Sequence, residues 1–413
     1  MSAPSFFLLK IESLRTRARL LPKLRQTLAL PPERDIRQEQ WEVLENQLAS
    51  VANRILHQLR MYTDQHLSDR NEPKTRLVLI ERLGEIELEL SQAYNFYDTF
   101  MDLLTQRLSE PIGSLLRGCD TIAEDGLRRG FLADITVPPL VFCDRGFGAS
   151  TLREGVNLQR NVPNPIPFIA IPYARIAEKY NLISIYHEVG HQTLTKLNLV
   201  PLLQQVFAES AGKAGANDLL CSLFANWSKE LGPDFWAFCL TGMAQTCSIR
   251  DVLVLPGPMM FQISAYQQHP PAYLRFLASV EWCRQLWGKG DWDTWEAEWT
   301  DLYPLKNLDA STREAVEAAR RLLPAMARTM LNTRYRKLDN KPLSSLFTLD
   351  DLEPGRLKSL ASAEAVTSAG FRQKPLGVQL AAFRLLREKR SMKQPEIDQI
   401  MSQWLKNLPN NSR

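Results

Sequence analysis

Apolar residues recur at spacings of three and four through the first third of the chain, and that period builds helices. Trp41, Leu44, Leu48, Val51, Ile55 and Leu59 make one stripe. Leu79, Leu83, Ile86, Leu90, Ala93, Tyr97, Phe100 and Leu104 make a second, longer one. A repeat of this kind turns one face of each helix towards a core. Pro31-Pro32, Pro73 and Pro111 fall between the periodic segments, where proline ends or opens a helix. Residues 1–130 are therefore expected to form an N-terminal helical bundle or hairpin. Its stripes serve an intramolecular core, with a surface for a protein partner as the alternative use.

The pattern changes near Phe131. Residues 135–142 and 166–172 are short, apolar and proline-punctuated, and read as strands held to sheet edges or ended by their prolines. Cys143 to Gly148 reads as the turn between them. A strongly apolar stretch follows from Leu182, and then residues 209–217 are small and glycine-rich, either a mobile segment or a connector. From about 218 the chain is mainly helical again. Trp282, Trp287, Trp292, Trp295 and Trp299 crowd one stretch, as core or interface aromatics do. The tail, from Leu376 to Leu405, has the pattern of a separate helical unit. The expected fold is mainly α with a small β-sheet, divided at 1–130, 131–305 and 306–413.

Composition narrows the class. At 413 residues the chain is long enough for two or three domains, and its net charge of +4 is too small to argue for nucleic acid. Its six cysteines include no C-x-x-C pair and sit mostly in apolar surroundings, as reduced core cysteines do. Phe6 to Leu9 is too short an apolar run for a signal peptide, and no run approaches the ~18 residues of a membrane span. A cytoplasmic protein with no membrane span is expected. No glycine-rich phosphate loop is present.

The chemistry concentrates at His187-Glu188-Val189-Gly190-His191. Positions i and i+4 share a helix face, so both imidazoles can point at one metal ion. Glu188 is placed to take a proton from water at that ion. Its neighbours Ile185, Tyr186, Val189 and Leu194 are apolar, and histidine and glutamate buried among them need partners. The alternative is a helix with two surface histidines. A small sheet just ahead of such a helix can supply an edge strand that holds extended substrate, or an ordinary core strand. The residues do not separate those two.

A catalytic zinc takes three protein ligands and keeps one open position. Glu230 lies 39 positions after His191 and has Asp234 four residues on, placed to accept the second-nitrogen proton of a ligating histidine. Glu209, 18 positions after His191, has Lys213 there instead, and Asp218 is a third candidate. Against Glu230 stands Gly232-Pro233, since proline inside a helix costs ~3 kcal/mol or kinks it.

A third motif is His269-Pro270-Pro271-Ala272-Tyr273-Leu274-Arg275. The order H-E-x-x-H, E-x-x-x-D, H-P-x-x-x-x-R resembles the gluzincin metallopeptidases, most of all the family of the CAAX prenyl proteases and heat-shock membrane peptidases. The similarity covers about residues 165–280, and the transmembrane helices of the best-known members have no counterpart. The resemblance implies an α+β zincin-like catalytic domain flanked by helical regions. It implies His187, His191 and Glu230 as zinc ligands, Glu188 as general base and Asp234 as the carboxylate behind a ligand. His269 and Arg275 would stabilise the oxyanion or brace the ligand helices; Tyr266 and Tyr273 are further donors for that oxyanion. The expected activity is zinc-dependent hydrolysis of a protein or peptide. The alternatives are a helical interaction or scaffold protein with a structural or vestigial zinc site, and a latent enzyme whose N-terminal bundle covers the cleft.

Overall fold

The structure is a computed structural model that describes residues 3–66, 69, 71–130, 132, 137–146, 148–159, 162–264 and 267–411. It is mainly helical with small sheets of two or three strands. The longer helices early in the chain are α1 (Ala3–Leu20), α2 (Gln38–His66), α3 (Pro73–Thr105) and α4 (Ile112–Leu127). The chain groups into two compact units. One is residues 1–117, 137–143 and 152–168; the other is 118–136, 144–151 and 169–413. Most of the expected 1–130 segment thus falls in the first unit, while residues 306–413 share a unit with residues 169–305.

In the first unit both predicted stripes are buried. Trp41, Leu44, Leu48, Ile55 and Leu59 from α2, and Leu79, Leu83, Ile86, Leu90 and Phe100 from α3, form one core with Phe7, Ile11 and Leu14 of α1. The intramolecular use of the stripes is what the chain adopts. Pro73 opens α3 at its first turn, where a missing N–H costs nothing. Polar groups drawn into this core find backbone partners. The Gln40 amide donates to the Pro138 carbonyl at 2.8 Å, and buried Arg107 donates to the Val141 carbonyl at 3.1 Å.

Three short strands share a sheet: β1 (Leu140–Asp144), β2 (Ser150–Leu152) and β3 (Phe168–Pro172), in the order β1-β3-β2. The run 166–172, expected at an edge or closed off by proline, is the middle strand, and all five residues of β3 are buried. Its prolines sit at the ends, Pro172 as the last strand residue and Pro167 just before the first, where the Pro167 carbonyl still accepts from the Leu140 N–H at 2.9 Å. Of the run 135–142, residues 135 and 136 lie outside the described residues, as does Phe147 of the expected turn.

The second unit carries α5 (Ser184–Lys196), α6 (Val200–Lys213), α7 (Asp218–Thr241), α8 (Met243–Val252), α9 (Ala272–Trp287), α10 (Asp291–Leu302), α11 (Ala310–Asn332), α12 (Leu376–Glu388) and α13 (Gln394–Asn411). The glycine-rich stretch 209–217 is the end of α6 and a short connection into α7, whose N-cap Asn217 accepts from the Leu220 N–H at 3.0 Å. Trp282, Trp292, Trp295 and Trp299 are core residues. The tail packs back on the earlier helices. The Arg384 guanidinium donates to the Cys247 carbonyl at 2.9 Å, and Gly377 meets the Leu240 carbonyl so closely that no Cβ would fit. No helix among the described residues is long and apolar enough to cross a membrane.

One ion cluster gives the first unit a pH dependence. Glu87 accepts from Arg17 at 2.7 Å and from Lys10 at 2.6 Å. The Arg17 hydrogen bond, outweighing partial burial, and then Lys10 hold its carboxyl down at about 2. A carboxyl depressed by folding stabilises the fold above its ordinary value and loses that contribution as pH falls towards its folded value. Glu87→Gln should cost about 1 kcal/mol at pH 7, a modest figure because the cluster is part-exposed. In urea titrations the gap from the unmodified chain should shrink progressively below pH 4.5; a constant gap contradicts the assignment.

Candidate metal centre

Two helices build the site, and glycine sets their distance. Gly190 lies between the motif histidines on α5 and faces Pro233 of α7. A Cβ at Gly190 would sit 2.7 Å from the Pro233 Cα and 3.0 Å from the Trp236 Cβ. A Cβ at Gly232 would sit 2.8 Å from the Leu194 Cδ1. The Gly232-Pro233 pair, which sequence reasoning counts against a ligand helix, is where the two backbones touch. α7 runs unbroken through Pro233 from Asp218 to Thr241. Proline removes one backbone donor, but the helix is buried on both sides of it and packing holds it in line.

That approach brings three side chains together. One nitrogen each of His187 and His191 and a carboxylate oxygen of Glu230 lie within 4.8 Å of one another. The two imidazole Nε2 atoms are 3.1 Å apart; Glu230 Oε2 is 3.4 Å from His187 Nε2, and its Oε1 is 3.7 Å from His191 Nε2. Donor atoms around one four-coordinate ion with bonds of ~2.0–2.1 Å stand about 3.3 Å apart, close to the separations of the nearest pairs here. This buried His-His-Glu group can hold a metal ion.

The group behind it fixes the histidine. Asp234, one helical turn after Glu230, accepts from His187 Nδ1 at 2.8 Å. That bond engages Nδ1 and leaves Nε2 to face His191 and Glu230, where a neutral ring would offer its lone pair to a metal. Arg275, in the first turn of α9, grips Asp234 with two hydrogen bonds, Nε to Oδ2 at 2.6 Å and Nη2 to Oδ1 at 2.8 Å. Gln245 of α8 reaches the same carboxylate at 3.4 Å. Where the two Nε2 nitrogens and the Glu230 carboxylate face each other, a shared proton or a cation relieves their repulsion.

Proton affinities follow that logic. Burial works against a charge on His187, but Asp234 and then Glu230 outweigh it and draw a proton strongly onto the ring. Burial and then His187 push His191 down. Burial raises the Glu188 carboxyl to about 7. Burial would raise Glu230 as well, but the His187 hydrogen bond and Arg275 hold it down at about 2.

The remaining expected residues separate clearly. His269 lies before α9 with its side chain 60% exposed and its Nε2 3.4 Å from Glu230. Arg275 is held by Asp234 and also stands 3.7 Å from Glu230. Tyr273 is buried away from the cluster, its hydroxyl taking Arg320 at 3.3 Å and its ring packed on Phe261. Tyr266 lies outside the described residues. Glu209 is exposed and bonded to Gln205, and Asp218 is exposed at the start of α7. Neither joins the group.

Sequence reasoning missed the supports. Tyr186 donates to Asp125 at 2.9 Å, and the Trp236 indole donates to the Gly126 carbonyl at 3.1 Å. The end of α4 therefore holds both ligand helices. Gly126 is pressed so tightly on Tyr186 that a Cβ would sit 2.6 Å from the ring. The only local signal was a glycine inside a helical pattern. Gln192, next to His191, donates to the Thr151 hydroxyl on the edge strand β2.

Comparisons with protein-family models, curated proteins and solved structures found no match.

Two outcomes follow from this packing. Gly190→Ala should cost about 1–3 kcal/mol in urea unfolding and weaken divalent-metal uptake; a variant with unchanged stability and uptake contradicts the close approach. In equilibrium dialysis against a divalent metal, His191→Ala and Glu230→Ala should lose the ion while Glu209→Ala keeps it.

Proposed function

We propose that the protein is a zinc-dependent peptidase of gluzincin type that hydrolyses protein or peptide bonds. The observation that carries the reading is the convergence of His187, His191 and Glu230, with Asp234 fixing the His187 tautomer. Two imidazole nitrogens and one carboxylate match the donor set of a catalytic zinc and leave a fourth position. What zinc supplies when bound is Lewis acidity, which brings the pKa of water to about 7 and polarises a carbonyl.

The chain's own residues supply the rest. Glu188 presents a buried carboxylate beside His187, able to take a proton from water and hand it to the leaving amine. Arg275 positions Asp234 and, through it, His187. His269 is exposed beside Glu230 and offers a ring N–H to a developing oxyanion. Its exposure favours contact with substrate, which the bidentate engagement of Arg275 does not. We further place the protein in a reducing compartment, because the six cysteines are thiols rather than disulfides and five of them are buried.

Glu188→Gln tests this reading. The variant should bind zinc as the unmodified chain does, while cleavage of a peptide library falls by roughly a thousandfold. Full cleavage by the variant contradicts the mechanism. No cleavage by either protein, with chelation melting the fold, assigns the metal a structural role instead.

A further inference from the structure

A cavity of about 740 Å³ lies between the chain that leads to His269 and the connection from α10 into α11. Pro258, Phe261 and Ile263 form one wall, and Leu302, Tyr303 and Leu308 the other. The volume is within the ~300–1,000 Å³ of sites that bury an organic ligand. Leu302 is 70% exposed, and Met259, next to Pro258, is 53% exposed. Large apolar side chains left in water beside an apolar cavity mark a binding surface.

The polar groups say which kind of ligand fits. Among the described residues the lining has one carboxylate, Asp309, and no lysine, arginine or histidine. Asp309 takes the Ser311 hydroxyl at 2.6 Å and the Thr312 N–H at 2.9 Å, bonds that favour its ionised form. Fatty acids and phospholipids bring an anion, which this lining has no cation to meet. Gln262 and Asn307 bring amides that suit a peptide backbone. The cavity wall also touches the helix that carries Arg275. The Phe261 ring packs on Tyr273 with centroids 4.9 Å apart, and Tyr273 stands two residues before Arg275 on α9.

We propose that this cavity binds an apolar stretch of polypeptide followed by a basic residue, with the apolar side chains inside and the cation beside Asp309. In naming that polypeptide as substrate, the inference rests on the peptidase reading; the binding itself does not.

Fluorescence anisotropy on the full chain carrying Glu188→Gln tests the binding without cleavage. The probe is a labelled hexapeptide of leucine and phenylalanine ending in lysine. Its controls replace the lysine with glutamate, or the apolar residues with serine. The lysine probe should bind at least about tenfold more tightly than the serine control and about threefold more tightly than the glutamate control. Ala315→Trp, which fills the cavity from α11, should weaken the lysine probe about tenfold. Ile263→Ser, which removes apolar wall, should weaken it too and carries the test if the tryptophan variant does not fold. Asp309→Ser keeps a helix cap and should abolish the preference for lysine over glutamate. Equal binding of all three probes, or affinity untouched by both cavity variants, overturns the proposal. A chain that binds the apolar probe as described but whose unmodified form cleaves no peptide keeps the cavity and overturns the peptidase reading.

Discussion

The contact of α5 with α7 at Gly190 and Pro233 is the constraint on which the site depends. Two helices that approach through a glycine and a proline ring sit closer than side chains would otherwise allow. That closeness places His187 and His191 on one helix opposite Glu230 and Asp234 on the other, each pair spaced one turn apart. Larger residues at the crossing would separate the imidazoles from the carboxylates, and neither the donor triad nor the His187–Asp234 bond would form. The end of α4 reinforces the crossing from outside through Asp125, Gly126 and the side chains of Tyr186 and Trp236.

Charge completes what packing begins. The buried group contains three carboxyls, Glu188, Glu230 and Asp234, and one guanidinium, Arg275. With all three ionised, one guanidinium leaves two negative charges, which a divalent cation neutralises. An uncompensated charge is among the costliest things to bury. The draw of a proton onto His187 is the same demand expressed without an ion. Arg275 answers part of it at Asp234, so it serves as a brace, while His269 keeps an exposed ring beside the triad.

Much of this was legible in the chain because helical spacing is rigid. The i, i+4 pairs His187–His191 and Glu230–Asp234 fix which side chains share a face, and the α2 and α3 stripes fix which faces are buried. Other features depend on partners that no local pattern names. Gly232-Pro233 looked like a break because propensity describes an isolated helix; in the folded unit it is a contact surface for α5. The prolines of the run 166–172 allowed either an edge strand or prolines at the strand's ends; they fall at its ends and leave the middle free to pair on both sides. Gln245 carries no local signal at all. Tyr273 had a suitable hydroxyl, but its buried position turns it to Arg320 and Phe261.

X-ray absorption at the zinc edge of the full chain tests the central claim most directly, because it reads the donor atoms themselves. The account predicts zinc bound by nitrogen and oxygen alone, with outer-shell scattering from two imidazoles and no sulfur. Zinc held by cysteine thiolate, or scattering from one imidazole or none, would contradict it.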